Sequence, residues 1–230
     1  MLNGKVVIIT GAKGGLGAFV TREFLDAGAR VVGISRSISQ SDFAHPGFHA
    51  EPAEIASGAQ ARALVERVIS QWERVDVLVH LVGGFSGGET VDDTDDAALD
   101  RMLDMNLRSF FFIARAVLPV MRRQGSGSVL AIGSRAAVEP APMLGAYSAS
   151  KAALVSLVKT IALENKQSGI SANVILPGTM DTPANRSATP TADFSRWIQP
   201  QQIAAMLVHL ASTAATQVTG AAIPIYGAEL

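Results

Sequence analysis

The chain has no cysteine among its 230 residues. That excludes disulfides, thiol nucleophiles and cysteine-ligated metals. Charge is also scarce: 17% of residues are Asp, Glu, Lys or Arg, the formal net charge is −1, and no basic run occurs. Nucleic acid and anionic membrane surfaces are therefore poor partners. No stretch approaches 18 uninterrupted apolar residues, and the first apolar run, Val6 to Ile9, is too short for a signal-peptide core. The expectation is a soluble, cytoplasmic protein that meets neither membrane nor nucleic acid. Hydrophobic residues make up 48% of the chain, enough for a large buried core and against disorder.

Short β-branched runs alternate with longer helical patterns. Strands are expected at Lys5–Thr10, Arg30–Ser35, Val75–Leu81, Gly127–Gly133, Ile170–Leu176 and Ala221–Tyr226, with at most a short one near Phe48–Ala50. Helices are expected at Gly15–Ala27, after a Ser57 cap, at Asp95–Arg123, from Tyr147 to about Gln167, and at Gln201–Ser212. In the Ser57 helix Ala61, Leu64, Val65, Val68, Ile69 and Trp72 follow the 3.6-residue period. Continuous apolar strands separated by helices imply an α/β fold with a parallel sheet covered on both faces. Without a repeat, linker or composition break, residues 1–230 read as one domain.

Three stretches carry chemistry. Tyr147 and Lys151 stand four apart in a helical run, which stacks them on one face. An ammonium beside a phenol favours the phenolate, so the tyrosine pKa is expected to fall from about 10 toward neutral. Such a tyrosine can exchange a proton with an alcohol or carbonyl. Thr10-Gly11-Ala12-Lys13-Gly14-Gly15-Leu16-Gly17 lies where the first strand turns into the first helix. Glycines there let the backbone approach a pyrophosphate, which the helix N-terminus stabilises. The pattern is T-G-x-x-x-G-x-G, neither of the common nucleotide fingerprints. Ser134 ends the fifth strand, 13 residues before Tyr147, where ligands bind in open α/β sheets.

Together with Asn106 in Met105-Asn106-Leu107 and Asn173-Val-Ile-Leu-Pro177-Gly178 with Thr182 beyond, these signals stand in the order found in the short-chain dehydrogenase/reductase family. The chain resembles that family over essentially its whole length. The resemblance implies a Rossmann-like, doubly wound sheet of about seven parallel strands and an NAD(P)-dependent oxidoreductase acting on a small carbonyl or alcohol. It implies Tyr147 as general acid or base, Lys151 as its modulator and a ribose ligand, and Ser134 as the residue that orients the substrate oxygen. Asn106 would hold a proton-path water through its backbone, in a local helix irregularity. Cofactor contacts are implied at Gly11, Lys13, Gly14, Gly15, Leu16, Gly17, Ser35, Arg36, Gly83, Tyr147, Lys151, Pro177, Gly178 and Thr182. No metal site is implied.

Cofactor choice turns on the end of the second strand, where a 2′-hydroxyl calls for a carboxylate and a 2′-phosphate for a cation. Ser35-Arg36-Ser37 offers no acid. Arg36 can clamp a phosphate, with Lys13 assisting, so NADP(H) is expected over NAD(H).

The chain also departs from the family. His80-Leu81-Val82-Gly83 replaces the usual Asn-Asn-Ala-Gly, which removes the asparagines that brace neighbouring strands; His80 reads as a satisfied core histidine. No helix fits between Arg36 and Phe48, Glu51 is the nearest acid after the third strand, and Tyr226-Gly227-Ala228 replaces a common Asp-Gly-Gly. Phe85, Met143, Phe194 and Trp197 suggest an apolar substrate surface, and 182–200 a mobile lid. The helices carrying residues 99–121 and Tyr147 are apolar around most of their circumference, so a homodimer or homotetramer is expected. The alternative function is a dinucleotide-binding sensor or scaffold without turnover, for which Ser134, Tyr147 and Lys151 together have no use. A nucleotide-sugar epimerase or dehydratase would need a larger region after Pro177.

Overall fold

Five consecutive buried residues, Val-Val-Ile-Ile-Thr, form β1 (Val6–Thr10) and make it an interior strand. The structure, a computed structural model, describes residues 2–228. Around β1 lie β2 (Arg30–Ser35), β3 (Phe48–Pro52), β4 (Val77–His80), β5 (Gly127–Ile132), β6 (Ile170–Pro177) and β7 (Ala222–Ile225). They form one seven-stranded sheet in the order β3-β2-β1-β4-β5-β6-β7. All six pairings are parallel. The chain winds outward from β1 to β3, then returns and winds the other way from β4 to β7. The switch point between β1 and β4 is where open α/β sheets leave a crevice for ligands.

Each face of the sheet carries its own core. One is closed by α2 (Gly58–Trp72), α4 (Ser109–Gln124) and α5 (Gly145–Glu164), around side chains such as Leu64, Phe110, Ile113 and Val158. The other is closed by α1 (Gly17–Asp26) and α7 (Pro200–Ala211), around Val20, Phe24, Ile203 and Leu207. Interior strands are apolar on both faces, as parallel sheets require. Pro224 sits in β7, at an edge, where a missing N–H breaks no interior ladder.

Several boundaries differ from the sequence expectation. The strand near Phe48 runs on to Pro52, in register with Ser35. As expected, no α-helix fits in the β2–β3 connection, which holds a single 3₁₀ turn, Gln40–Asp42. The long helix expected at Asp95–Arg123 is interrupted. α3 (Asp96–Leu103) passes into a π turn, Asp104–Arg108, before α4 begins, and the Ser109 N–H reaches back to the Asp104 carbonyl. Segment 182–200 is not a plain loop: it contains α6 (Pro183–Ala188) and a 3₁₀ turn, Phe194–Arg196.

At the amino end of the sheet, Asp76 is buried and accepts hydrogen bonds from the Val6 N–H at 2.9 Å, Lys5 Nζ at 3.1 Å and Arg74 Nε at 2.9 Å. Burial alone would raise its carboxyl pKa, but Arg74, the Val6 amide and Lys5 outweigh it and hold it low. This network pins β1 to β4 at the end opposite the crevice. No helix among the described residues is long and apolar enough to cross a membrane. No group of three or more His, Asp or Glu side chains among them could hold a metal ion.

Candidate active site

The glycine turn after β1 is shaped by two close approaches. Gly11 has φ +73°, and a Cβ there would lie 3.2 Å from the backbone of Leu81 and Val82, where β4 exits. A Cβ on Gly17 would lie 2.0 Å from the Gly11 carbonyl oxygen and 2.8 Å from Ala12 backbone atoms. The Gly14 N–H closes the turn on the Gly11 carbonyl at 2.9 Å, so α1 starts at Gly17, two residues later than expected. Leu16 caps α1 without a side-chain hydrogen bond; the Ala18 and Phe19 N–H groups turn back to the Gly14 and Leu16 carbonyls at 3.0 and 3.1 Å, so an anion would be met by the N–H groups of the turn ahead of them. Beyond β6, which ends at Pro177, the Gly178 N–H donates to the Ile225 carbonyl at 2.9 Å. Thr182 then packs over Gly15, where a Cβ would stand 3.6 Å from its side chain. The turns after β1 and β6 thus face each other across the mouth of the crevice. Gly17→Val should push α1 off the turn, costing roughly 1–3 kcal/mol of stability, the usual range for overpacking. Dinucleotide affinity should fall with it, as a fluorescence titration would show; unchanged affinity would remove this turn from the binding site.

The end of β2 holds more acid than the sequence suggests. The Ser35 hydroxyl accepts from the Lys13 N–H at 3.1 Å. Lys13 Nζ donates to the Ser37 carbonyl at 3.0 Å and pairs with Asp42 at 3.0 Å. Asp42 reaches the site because the 3₁₀ turn folds back on it, and Lys13 holds its carboxyl below the usual range. Arg36 is far more open, its side chain 81% exposed with Glu54 at 3.9 Å. Glu51 is turned away to Arg67, whose Nε donates at 2.9 Å.

The hydroxyl cluster lies at the carboxyl end of β5. Ser134 accepts from the Ala136 N–H at 3.2 Å, and its hydroxyl lies close enough to the Tyr147 phenol to lower the phenol's pKa. Tyr147 stands in the first turn of α5 and Lys151 one turn on. Lys151 Nζ is buried and donates to the Ile132 carbonyl at 2.9 Å. Burial lowers its pKa from 10.5 to about 8. The expectation for Tyr147 is reversed. Burial raises its pKa, and the Ser134 hydroxyl offsets that only in part. Spacing brings Lys151 to the right face, but its ammonium is taken by the Ile132 carbonyl and is not among the causes that shift the phenol.

Asn106 is fully buried on the π turn and works here through its side chain. Its Oδ1 accepts from the Gly84 N–H at 2.9 Å, and its Nδ2 donates to the Gly84 carbonyl at 3.1 Å and to Ser150 Oγ at 3.0 Å. Ser150 donates in turn to the Tyr147 carbonyl at 2.7 Å. Gly83 stands beside this junction: a Cβ there would be 2.9 Å from Asn106 Oδ1 and 3.2 Å from Lys151 Nζ. The residues fit a dinucleotide, with a helix N-terminus that has no side-chain cap at one end of the crevice and, at the other, a buried ammonium packed against the bare backbone of Gly83, where a Cβ would crowd it at 3.2 Å.

His80 takes over the bracing that the missing asparagines would supply. It is 1% exposed, with Nδ1 2.9 Å from Thr10 Oγ1 and Nε2 3.2 Å from Ser109 Oγ. Ser109 donates to the Met105 carbonyl at 2.7 Å. The ring therefore ties β1 to the π turn. Burial, and secondarily the nearby Lys151 charge, lower its pKa to about 3, so it stays neutral.

A family model, short chain dehydrogenase, matches residues 5–193. The chain belongs to the short-chain dehydrogenase family. It is 30% identical over 235 residues to 2,3-dihydro-2,3-dihydroxybenzoate dehydrogenase of Escherichia coli, covering 94% of this chain and 93% of that one. It is 29% identical to the short chain dehydrogenase adrF of Penicillium rubens, covering 98% and 96%. Among solved structures, 3-ketoacyl-(acyl-carrier-protein) reductase from Brucella melitensis, complexed with NADH, superposes with a TM-score of 0.87 at 27% identity, covering 99% and 98%. ElxO with NADP bound superposes with a TM-score of 0.91, and at 22% identity it shows the shared fold.

In this short-chain dehydrogenase, Ser134, Tyr147, Lys151 and Asn106 converge, as do the glycine turn, Gly83 and Thr182. Sequence reasoning missed Ser150, Asp42 and the clamp on Gly84. Ser150 had a signal, since it directly precedes Lys151 and is three residues from Tyr147 in a helix. Phe194 and Trp197 pair with each other at 4.8 Å, with Arg186 over Phe194.

Proposed function

We propose that the protein is an NAD(P)(H)-dependent oxidoreductase that reduces a ketone or aldehyde to an alcohol, or runs the reverse. The observation that carries this reading is the Ser134–Tyr147 hydroxyl pair at the carboxyl end of β5, with the buried Lys151 ammonium one turn away. The glycine turn, Gly83 and the Pro177–Thr182 segment would hold the dinucleotide, which when bound supplies or accepts the hydride. Ser134 would hold the substrate oxygen and Tyr147 would give it a proton. With its pKa raised, the phenol carries that proton at pH 7. Lys151, near pKa 8, is a cation at pH 7 and, beside Gly83, would hold the ribose of the dinucleotide. Asn106 and Ser150 would fix the first turn of α5 against the π turn and so set the phenol's position. The relatives' names, a dihydrodiol dehydrogenase and a ketoacyl reductase, support hydride chemistry at oxygen-bearing carbon without giving the substrate.

NADP(H) is the preferred cofactor in this reading because Arg36 is open to solvent and only loosely paired. Lys13 assists less than its position suggests, since Asp42 already takes its charge. Arg36→Ala should weaken NADPH at least about tenfold relative to NADH, the loss of one charge-assisted phosphate contact. Asp42→Asn should move the ratio the other way by freeing Lys13. Titration of both variants with both nucleotides checks this, and an unchanged ratio in both would refute the preference. A homodimer or homotetramer completes the proposal. It is supported by the groove along the outer faces of α4 and α5, lined by Phe111, Leu118, Leu157 and Ile161.

The deciding experiment is titration with NADPH and NADH, followed by turnover of a ketone panel. Nucleotide binding with turnover supports the proposal. Binding without turnover on any ketone or alcohol would favour a sensor, and no binding would overturn both.

A further inference from the structure

The proton-transfer cluster does not account for one aromatic beside it. Phe85 is 67% exposed, yet its ring meets Tyr147 edge-on, with centroids 5.0 Å apart and planes at 69°. An exposed phenylalanine between glycines keeps such a contact only if its backbone is fixed, and here both feet of the segment are tied. Gly84 exchanges two hydrogen bonds with the Asn106 side chain. Four residues on, the Gly88 N–H donates to the Met143 carbonyl at 2.9 Å. Phe85, Ser86 and Gly87 form an arch between these points.

The opposite loop is shaped to receive the arch. Met143 has φ +63°, a left-handed conformation uncommon for a side chain of that size, and its carbonyl takes the Gly88 N–H. A Cβ on Gly87 would lie 2.4 Å from Leu144 Cδ2 and 3.4 Å from Phe85 Cζ, so these two side chains approach over that glycine. Met143 is itself 50% exposed. The result is an apolar rim of Phe85, Leu144 and Met143 beside the phenol. A substrate oxygen held by Ser134 and Tyr147 directs one substituent of its carbonyl carbon toward that rim.

We propose that Phe85 is a specificity-determining residue that selects carbonyl substrates bearing a flat apolar group next to the C=O, an aryl ketone being the simplest case. The inference rests on the oxidoreductase reading above and deepens it. Phe85 offers its open surface where a planar ring can stack or meet it edge-on, as it already meets the tyrosine. Burying that surface under substrate removes apolar area from water that is otherwise left exposed.

The test compares wild type with Phe85→Ala and Phe85→Leu, using 2-acetonaphthone and 2-butanone. Two readouts are taken: binding of 2-acetonaphthone by calorimetry, and the ratio of kcat/KM for the two ketones. The expected result is binding weakened at least about tenfold in Phe85→Ala and less in Phe85→Leu, the range set by apolar pocket contacts. The kcat/KM ratio should fall toward 2-butanone by a similar factor, whatever happens to the absolute rates. Dinucleotide affinity should stay the same. Unchanged binding and an unchanged ratio would overturn the proposal, as would a wild type that turns over 2-butanone but does not bind the naphthyl ketone. Loss of both ketones in equal proportion would also overturn it. If the naphthyl ketone binds through Phe85 but no dinucleotide supports turnover, the recognition role stands and the oxidoreductase reading fails.

Discussion

Tyr147→Phe should lower kcat for carbonyl reduction by roughly 10²–10⁴-fold, the usual worth of a positioned general acid. The substitution removes one hydroxyl and keeps the ring, so the edge-on contact with Phe85 survives. Ser134 loses a neighbouring hydroxyl, but Oγ still accepts from the Ala136 N–H. The stability cost should therefore be near that of one neutral hydrogen bond, about 1 kcal/mol. Steady-state kinetics beside a urea midpoint separate the two effects. The pH profile adds a second check. Because burial raises the phenol pKa above its ordinary value of 10.0, Tyr147 remains protonated through neutral and mildly alkaline pH in the unliganded protein. Reduction, which needs the proton, should show no falling limb from this residue below that range. Alcohol oxidation, which needs the phenolate, should climb as pH rises. A variant within tenfold of wild type in both directions would remove Tyr147 from the mechanism.

The sheet was readable where burial is complete. β1, β4, β5 and β6 are apolar runs because both of their faces are covered. β3 was readable only in part, since Phe48-His-Ala-Glu-Pro is an edge strand with mixed exposure, and its pairing with β2 comes from tertiary contact. The π turn leaves no periodic trace in composition. Its location was expected from the family resemblance alone, while the reason for it is spatial: Asn106 has to meet Gly84 and Ser150 at once. The grouping of Tyr147 and Lys151 followed from helical spacing, yet the direction of the tyrosine's pKa did not. Spacing fixes which face a side chain shares, whereas the shift depends on burial and on where the ammonium finds its acceptor, here the Ile132 carbonyl. Asp42 was invisible for a similar reason. It lies 29 residues from Lys13 in sequence and meets it through an irregular connection that no pattern describes.

Lys151→Met should abolish most turnover and, at neutral pH, leave the folded protein more stable. Burial lowers the Lys151 pKa from 10.5 to about 8, so the folded state disfavours the charged form. At roughly 1.4 kcal/mol per pKa unit, holding the ammonium in place costs about 3 kcal/mol of stability below pH 8. Between pH 8 and 10.5 the folded protein sheds this proton while the unfolded chain keeps it. Stability from this group therefore rises with pH across that window, and the cost is gone above it. Methionine fills similar volume without a charge, but it leaves the Ile132 carbonyl without its donor, a loss of about 1–2 kcal/mol. The variant should thus exceed wild type by about 1–2 kcal/mol at pH 7, and the advantage should vanish or reverse by pH 10. Urea midpoints of both proteins at the two pH values read this difference directly, because other titrating groups cancel between them. An equal gap at both pH values would mean that the ammonium is not destabilising in place. A buried cation that weakens the fold yet sits one turn from the phenol and against the backbone of Gly83 fits the role proposed for it in the site rather than a role in packing.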